Sequence, residues 1–248
     1  MIYKYLLLLL LGHVVGDFYF QTDYISKKKD EKYSGVILHS FEYLLAVVVV
    51  MIPVISLDML LSAIYLSAMH FVIDSVKFYL LKRKIINKSG IVFVFDQCIH
   101  VLSVFVLSYV MYKNNFKFTC LPIVHDVFDV FGIEKNLFLR LLLSILLLHK
   151  PTNIMIQNLL GGYKPKEDEN KLFIRDNKVG RKIGTIERFI MLLFILMNQY
   201  AAMGLVLTAK SIARYDKIVK EEKFAEYYLL GTLFSTASVL LCKVMLLL

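Results

Sequence analysis

Prolines and cysteines are scarce in this sequence. Four prolines among 248 residues leave long stretches without a helix breaker. The 3 cysteines, Cys98, Cys120 and Cys242, have spacings that match neither a zinc ribbon nor a disulfide framework. We therefore interpret them as packing residues in or near apolar segments.

Charged residues are also few, since they make up 20% of the chain against 58% hydrophobic residues. The mean hydropathy of +0.64 lies well above that of an ordinary soluble domain and excludes that class. Apolar runs of about 20 residues, enough for a helix to cross a bilayer, recur along the whole length. We predict an all-α, polytopic transmembrane helical bundle with about seven spans, within a range of six to eight. The predicted spans are 5–25, 35–56, 57–81, 90–112, 136–160, 184–208 and 226–248.

The chain is predicted to form two domains. Residues 1–115 would be an amino-terminal four-helix transmembrane unit, and residues 116–248 a carboxy-terminal helical extension. The first apolar run continues without a small-residue cleavage pattern, so we expect it to stay attached. The segment 116–133 is too short and polar for a span and is typical of an interfacial or re-entrant piece.

The net charge of +9 comes from short basic clusters beside the spans. Such clusters indicate orientation and contact with anionic lipid headgroups, and no nucleic-acid partner is predicted. Segments 26–32 and 81–88 are basic, whereas 51–58 contains no Lys or Arg, so both basic loops should be cytoplasmic. The basic loop 163–182 should face the same side. The chain is therefore predicted to cross the membrane several times.

The basic segment 210–223 conflicts with this topology. A single crossing at 184–208 would place it outside, although it is nearly as basic as the cytoplasmic loops. Either a re-entrant helix or an amphipathic segment on the cytoplasmic face would remove the conflict, and the sequence leaves both open.

Ionisable side chains recur inside the first four predicted spans. Burying each of them in hydrocarbon costs roughly 2 to 3.5 kcal/mol when charged, so such residues usually have partners in a cavity. Three spans place His and Asp four residues apart, on one helical face. Counted from the basic loops, all lie at a similar depth, roughly 10 to 20 Å into the membrane. The set consists of His13, Asp17, His39, His70, Asp74, Asp96 and His100.

Imidazoles and carboxylates are the ligand types of Zn, Mn and Fe. Seven of them exceed the needs of a mononuclear site, so we predict one or two divalent ions, Zn first and Mn or Fe as alternatives. Some of these residues could orient a ligand rather than bind metal. A dinuclear site could hydrolyse a phosphoryl or acyl centre. Glu42, one turn from His39, is the candidate general base.

Three functions remain open at this point. The first is metal-dependent hydrolysis of an amphiphilic substrate, a phospholipid or isoprenoid phosphate ester, at the cytoplasmic side. The second is a transporter or channel that uses the same residues as a path for protons or divalent cations. The third is a non-enzymatic scaffold or signalling protein held together by these polar residues.

Elsewhere in the chain, the sequence predicts that the side chains of His125, Asp126 and Asp129 are solvated.

Several motifs resemble a known family. The stretches "GHVVGDFYFQTD", "ILHSFEY", "HFVIDSVK" and "FDQCIHVLS" resemble successive motifs of the bacterial membrane family called domain of unknown function 3307. "GRKIGTIERFIML", "AAMGLVLTAKSIARY" and "FAEYYLLGTLFSTA" resemble the extension of its longer members. The amino-terminal pattern is also similar to inner-membrane, LexA-regulated proteins classed as metal-dependent hydrolases. That resemblance implies a hydrolase carried by the seven His and Asp residues named above. Together the two resemblances imply a multi-pass protein of the bacterial inner membrane.

The carboxy-terminal half has ionisable residues of its own. Glu187 and Glu226 could pair with Arg188, Lys210 or Arg214. If the last basic loop returns to the cytoplasmic side, Lys210 and Arg214 could bind a phosphate headgroup. The alternative is that these long side chains simply extend to the membrane interface.

Overall fold

A computed structural model describes residues 2–163 and 171–247, with side chains described outside 171–179. These residues form helices and no strand, so the predicted all-α class is confirmed. The α-helices are α1 (Ile2–Val14), α2 (Asp23–Glu31), α3 (Tyr33–Met51), α4 (Leu57–Lys82), α5 (Gly90–Lys113), α6 (Pro122–Val130), α7 (Lys135–Leu160), α8 (Lys171–Leu196), α9 (Tyr200–Ala213), α10 (Tyr215–Lys220) and α11 (Glu222–Cys242).

The protein is a multi-pass membrane protein. Among the described residues, 6 helical segments are long and apolar enough to cross a bilayer, which lies within the predicted range. They are Ile2–Phe20, Tyr33–Val54, Leu57–Lys82, Gly90–Lys113, Lys135–Tyr163 and Glu222–Leu247. Of the predicted basic loop 163–182, residues 164–170 lie outside the described residues, and α8 begins at Lys171.

The predicted span 184–208 is wrong as a single crossing. Helix α8 ends at Leu196 and α9 begins at Tyr200, and between them Asn198 has a left-handed φ of 58°. Lys210 Nζ lies 2.7 Å from Glu187 Oε2, so α9 runs back along α8 as a helical hairpin. With 14 residues, α9 is shorter than a membrane crossing requires. This hairpin removes the topological conflict, because the segment 210–223 returns to the end of the hairpin where Glu187 lies.

The chain divides into two compact units, Met1–Leu146 and Leu147–Leu248. In the first unit α1, α3, α4 and α5 pack together, and α2 packs on α3. We call the end of this bundle that carries segments 26–32 and 81–88 the Lys-rich end. The opposite half is filled by buried apolar side chains, including Leu9, Val47, Met59, Ala63, Val104 and Met111. The seven His and Asp residues predicted as metal ligands, called the polar cluster below, lie between this apolar core and the Lys-rich end.

Helix α6 is short and amphipathic. Its apolar side chains Ile123, Val127 and Val130 are exposed, which fits the predicted interfacial piece better than a span. The backbone N–H of Leu121 donates to the carbonyl of Pro53 at 3.0 Å and holds this segment at the end opposite the Lys-rich end. His125 and Asp129 are exposed and pair with each other at 2.7 Å, as expected for solvated residues.

In the described part of the chain, none of the three cysteines forms a disulfide bond. Cys242 is buried, as a packing residue would be. Cys98 is exposed on α5, so the packing interpretation is wrong for this residue. The reason is the helical period, which places Cys98 on a different face from its buried neighbours Asp96 and His100.

Candidate metal centre

Asp17 reaches the interior through a local change in the first helix. Residues Val15–Phe20 continue α1 as a π-helix that contains Asp17, which is buried. Such π turns are frequent at functional sites. The neighbouring Gly16 is needed for space, because a Cβ at this position would lie 2.7 Å from Cδ2 of Tyr43. The absence of a side chain at Gly16 therefore lets the Tyr43 ring close against the π-helix.

All seven predicted ligands are buried and come together. They form three overlapping groups in which one ligand atom per residue lies within 4.8 Å of the others. The groups are His13, His70 and His100; Asp17, His39 and His70; and Asp74, Asp96 and His100. The structure thus joins side chains from four membrane-spanning segments in one cluster. Their role as metal ligands stays a prediction.

The group of Asp17, His39 and His70 has the spacing of a metal site. His39 Nε2 lies 3.1 Å from Asp17 Oδ1 and 3.1 Å from His70 Nε2. His70 Nε2 lies 3.9 Å from the same Asp17 oxygen. Ligand atoms around a tetrahedral zinc ion, at Zn–N distances of 2.0 to 2.1 Å, are about 3.3 Å apart. The three atoms could therefore hold one ion.

The two carboxylate oxygens of Asp74 lie near different histidines. Its Oδ2 lies 3.2 Å from His70 Nε2, and its Oδ1 lies 3.7 Å from His100 Nε2. Asp96 Oδ1 is 3.8 Å from the same His100 nitrogen. These last two distances are too long for hydrogen bonds, and Asp74 Oδ1 and His100 Nε2 are buried without a hydrogen-bond partner in the described part of the chain. Asp74, Asp96 and His100 could hold a second ion, which would satisfy these atoms, and Asp74 would then serve both candidate sites.

His13 completes the cluster next to Tyr43. Its Nδ1 lies 3.2 Å from the Tyr43 hydroxyl, while its Nε2 is buried without a hydrogen-bond partner among the described residues. The His13 and His100 rings are stacked, with centroids 5.5 Å apart. Tyr43 in turn stacks on His70. Tyr43 is therefore a positioning residue for two of the four imidazoles.

Two lysines pair with two of the three carboxylates, and the sequence analysis missed both. Lys29 Nζ lies 2.6 Å from Asp74 Oδ2, and Lys77 Nζ lies 2.7 Å from Asp96 Oδ2. The Gln97 amide donates to Asp17 Oδ2 at 2.8 Å. Lys77 had a detectable signal, because it follows Asp74 by three residues on the same helix. Lys29 had none, because only tertiary packing brings α2 to the cluster.

Lys29 is held in its charged form. Burial lowers the pKa of Lys29, but the nearby carboxylates of Asp74 and Asp17 outweigh this effect and raise the pKa above its usual value. The carboxylates therefore favour the charged ammonium form of Lys29 at the Lys-rich end of the cluster.

Glu42 lies beside the cluster rather than in it. It is absent from the three ligand groups found among the described residues. Its Oε2 is buried without a hydrogen-bond partner in the described part of the chain. A free carboxylate oxygen next to the candidate centre is compatible with the predicted general base, and this role stays a prediction.

Lys210 and Arg214, the predicted headgroup ligands, occupy different surroundings. Lys210 pairs with Glu187 and lies 5.3 Å from the centroid of the Tyr228 ring. Arg214 lines a shallow surface depression together with Tyr215 and Lys217. Lys210 is thus already engaged with a carboxylate, and the headgroup role of both residues stays a prediction.

Among the cations of the second unit whose side chains the structure describes, Arg188 is the most deeply buried, with 1% of its surface exposed. Its guanidinium donates to the carbonyl of Leu148, the hydroxyls of Ser235 and Thr185 and the amide oxygen of Asn153, at 2.7 to 3.1 Å. These acceptors come from α7, α8 and α11. Because the planar fork of arginine can serve several acceptors at once, Arg188 joins the three helices.

The comparison with known proteins concerns the amino-terminal half. Residues 5–127 match the model of the family described as protein of unknown function, DUF3307. This range contains all seven cluster residues and both lysines. No curated protein and no solved structure matches the chain. The wider resemblance to metal-dependent hydrolases stays a prediction. Through residues 5–127, the chain belongs to the DUF3307 family.

Proposed function

We propose that this protein is a membrane-embedded, metal-dependent hydrolase of an amphiphilic phosphate ester, a phospholipid or an isoprenoid phosphate. It would act from the cytoplasmic side of a bacterial inner membrane. The observation that carries the proposal is the Asp74 carboxylate, whose two oxygens face the His70 and His100 sides of the cluster. A carboxylate between two sets of ligands is the arrangement expected of a dinuclear centre.

The residues of the cluster and Glu42 would have different roles in the reaction. Asp17, His39 and His70 would hold one ion, and Asp96 with His100 would hold the other. Bound divalent ions would activate a water molecule and stabilise the charge that develops on a phosphoryl group. Glu42 would accept the proton of that water, because it follows the candidate ligand His39 by one helical turn and its buried Oε2 has no hydrogen-bond partner among the described residues.

The position of the cluster supports a lipid substrate. It lies towards the Lys-rich end, where segments 26–32 and 81–88 carry the basic residues expected of cytoplasmic loops. An ester between a charged headgroup and an acyl or prenyl chain lies at this depth of a bilayer. The basic residues would also attract anionic headgroups.

The opposite half of the bundle favours an enzyme over a transporter. Its core consists of packed apolar side chains, among them Val47, Met59 and Val104, which are fully buried. Ser103 and Ser108 in the same region donate to carbonyls of their own helix. A cation path across the membrane would need polar groups free to replace the water around the ion.

The first test is the metal content of the detergent-purified chain, measured by inductively coupled plasma mass spectrometry. We expect one or two equivalents of Zn, Mn or Fe, and the loss of at least one equivalent in His70→Ala and Asp96→Ala. His125→Ala is the matched control, because His125 is exposed and lies outside the cluster. Circular dichroism would verify that all variants stay folded.

The second test is turnover. Release of phosphate or of a phosphorylated headgroup from lipid vesicles, dependent on the metal and lost in Asp96→Ala, would support the hydrolase. Metal-driven or pH-driven flux in proteoliposomes without turnover would favour transport instead. Absence of metal from the unaltered chain, even after incubation with these ions, would contradict the proposal.

A further inference from the structure

Asp74 Oδ2 has two kinds of neighbour at the same time. It lies 3.2 Å from His70 Nε2, a candidate ligand atom, and 2.6 Å from the Lys29 ammonium. The Asp74 side chain is fully buried, so few other groups can reach it. The Lys29 ammonium therefore contacts the same Asp74 oxygen that would bind a divalent ion.

The charge of the cluster favours either the Lys29 ammonium or a divalent ion beside Asp74, but not both. The cluster contains three carboxylates, on Asp17, Asp74 and Asp96, against two lysines, Lys29 and Lys77. Buried sites of low dielectric disfavour net charge. If one divalent ion replaces Lys29, the three carboxylates face the ion and Lys77 alone, and the site is neutral. If Lys29 stays beside this first ion, the site carries an excess positive charge. The second ion of the proposed dinuclear centre would add two positive charges, which the anionic phosphoryl group of the substrate would offset.

The Lys29 side chain can move away from Asp74 while the backbone of α2 stays in place. The α2 backbone is fixed against α3 at Gly35, where a Cβ would lie 2.4 Å from the Lys28 carbonyl oxygen. The flexible four-carbon stem of a lysine can turn while the backbone stays in place. The Lys29 side chain is already 13% exposed, more than Asp74, at the Lys-rich end.

We infer that Lys29 and a divalent cation are alternative partners of Asp74, and that metal binding frees the Lys29 ammonium to bind the phosphoryl oxygens of the substrate. The inference rests on the proposed function. A freed ammonium beside the metal ions is suited to an anionic phosphoryl group, which lysines bind as point charges. Lys29 would thus make the site selective for phosphate esters over carboxylic esters.

The first experiment compares zinc affinities of the full chain in detergent, by titration with Zn²⁺ against a competing chelator. Lys29→Gln should bind Zn²⁺ about fivefold tighter or more, because no ion pair has to be broken. Lys27→Gln is the control, since Lys27 is exposed on the same helix and the variant loses the same charge. Its affinity should equal that of the unaltered chain.

The second experiment measures acylation of lysines by a water-soluble ester, followed by peptide mass spectrometry. Lys29 should react slowly without metal, faster with Zn²⁺, and slowly again when vesicles of phosphatidic acid are added. Inorganic phosphate in place of these vesicles separates recognition of the phosphate alone from recognition of the lipid. Protection by either probe supports the inference, whereas the reactivity of the exposed Lys27 should not change when Zn²⁺ alone is added.

The outcomes separate this inference from the proposed function. If the unaltered chain binds Zn²⁺ but Lys29→Gln binds it no tighter, the inference is wrong and the metal site stands. The same holds if Zn²⁺ leaves Lys29 protected, or if neither phosphate probe protects it again. If no variant binds Zn²⁺, Mn²⁺ or Fe²⁺, the proposed function and the inference fail together.

Discussion

The Tyr43 and His70 rings stack face to face, with centroids 3.8 Å apart and an angle of 8° between their planes. Tyr43 belongs to the apolar core, and its hydroxyl lies 3.2 Å from His13 Nδ1. One side chain thus closes the apolar half of the bundle and orients two imidazoles of the polar cluster. The rigidity of the candidate centre should depend on it.

Shortening Tyr43 tests this relationship. Tyr43→Phe keeps the stack and loses the contact with His13, so we expect a loss of about 1 kcal/mol in unfolding free energy and near-normal metal content. Tyr43→Ala removes the ring and leaves a cavity, which should cost about 3 to 5 kcal/mol and lower the metal content. Reversible unfolding in mixed detergent would measure both. Equal effects of the two variants would contradict the importance of the stack.

Gly16→Ala should disturb the same ring from the other side. The added Cβ would lie 2.7 Å from Cδ2 of Tyr43, so the ring must move, at a cost of about 1 to 3 kcal/mol. Gly12→Ala is the control, because its Cβ would meet the Val47 side chain at 3.4 Å, close to an ordinary contact. The melting temperature in detergent should fall more for Gly16→Ala. A larger fall for Gly12→Ala would show that Tyr43 adapts easily.

The bridging position of Asp74 predicts an unequal effect on metal stoichiometry. For a dinuclear centre, Asp17→Asn and Asp96→Asn should each lose about one ion, whereas Asp74→Asn should lose about two. Asp129→Asn, on the exposed face of α6, should keep the full content. Metal analysis of folded, gel-filtered protein would decide. Retention of one ion by Asp74→Asn would exclude the bridge.

Arg188→Lys should destabilise the second unit although it conserves the charge. A single ammonium cannot serve the four acceptors spread over α7, α8 and α11, and each buried acceptor left unpaired costs about 1 to 3 kcal/mol. Lys182→Gln, which changes an exposed residue of the same helix, should be nearly neutral. Thermal unfolding followed by circular dichroism is the measurement. Similar melting temperatures for both variants would contradict a joining role of Arg188.

The hairpin of α8 and α9 predicts which side of the membrane its flanks face. In a chain whose three cysteines are replaced by serine, Lys182→Cys and Lys217→Cys should react with a membrane-impermeant maleimide from the same side. Gln199→Cys, at the turn of the hairpin, should not react from that side. Labelling of Lys182→Cys and Lys217→Cys from opposite sides would contradict the hairpin and support a single crossing at 184–208.

Much of the fold and the candidate ligands followed from local patterns. Long apolar runs determine membrane-spanning helices, because unpaired backbone groups are too costly in hydrocarbon. The spacing of His70 and Asp74, repeated in reverse at Asp96 and His100, places these groups on one face of each helix. Because neighbouring helices run antiparallel and these residues lie at similar distances from the basic loops, the sequence alone predicted that the seven side chains would meet.

Tertiary packing decided what periodicity could not express. The π-helix that buries Asp17, the approach of Lys29 to Asp74 and the close fit of Gly16 against Tyr43 depend on neighbours distant in sequence. The break at Asn198 was hidden because the apolar end of α8, followed by the short helix α9, has the same hydropathy as one continuous span. Hydrophobicity determines which residues leave water, whereas only the three-dimensional contacts determine which charged atoms become neighbours.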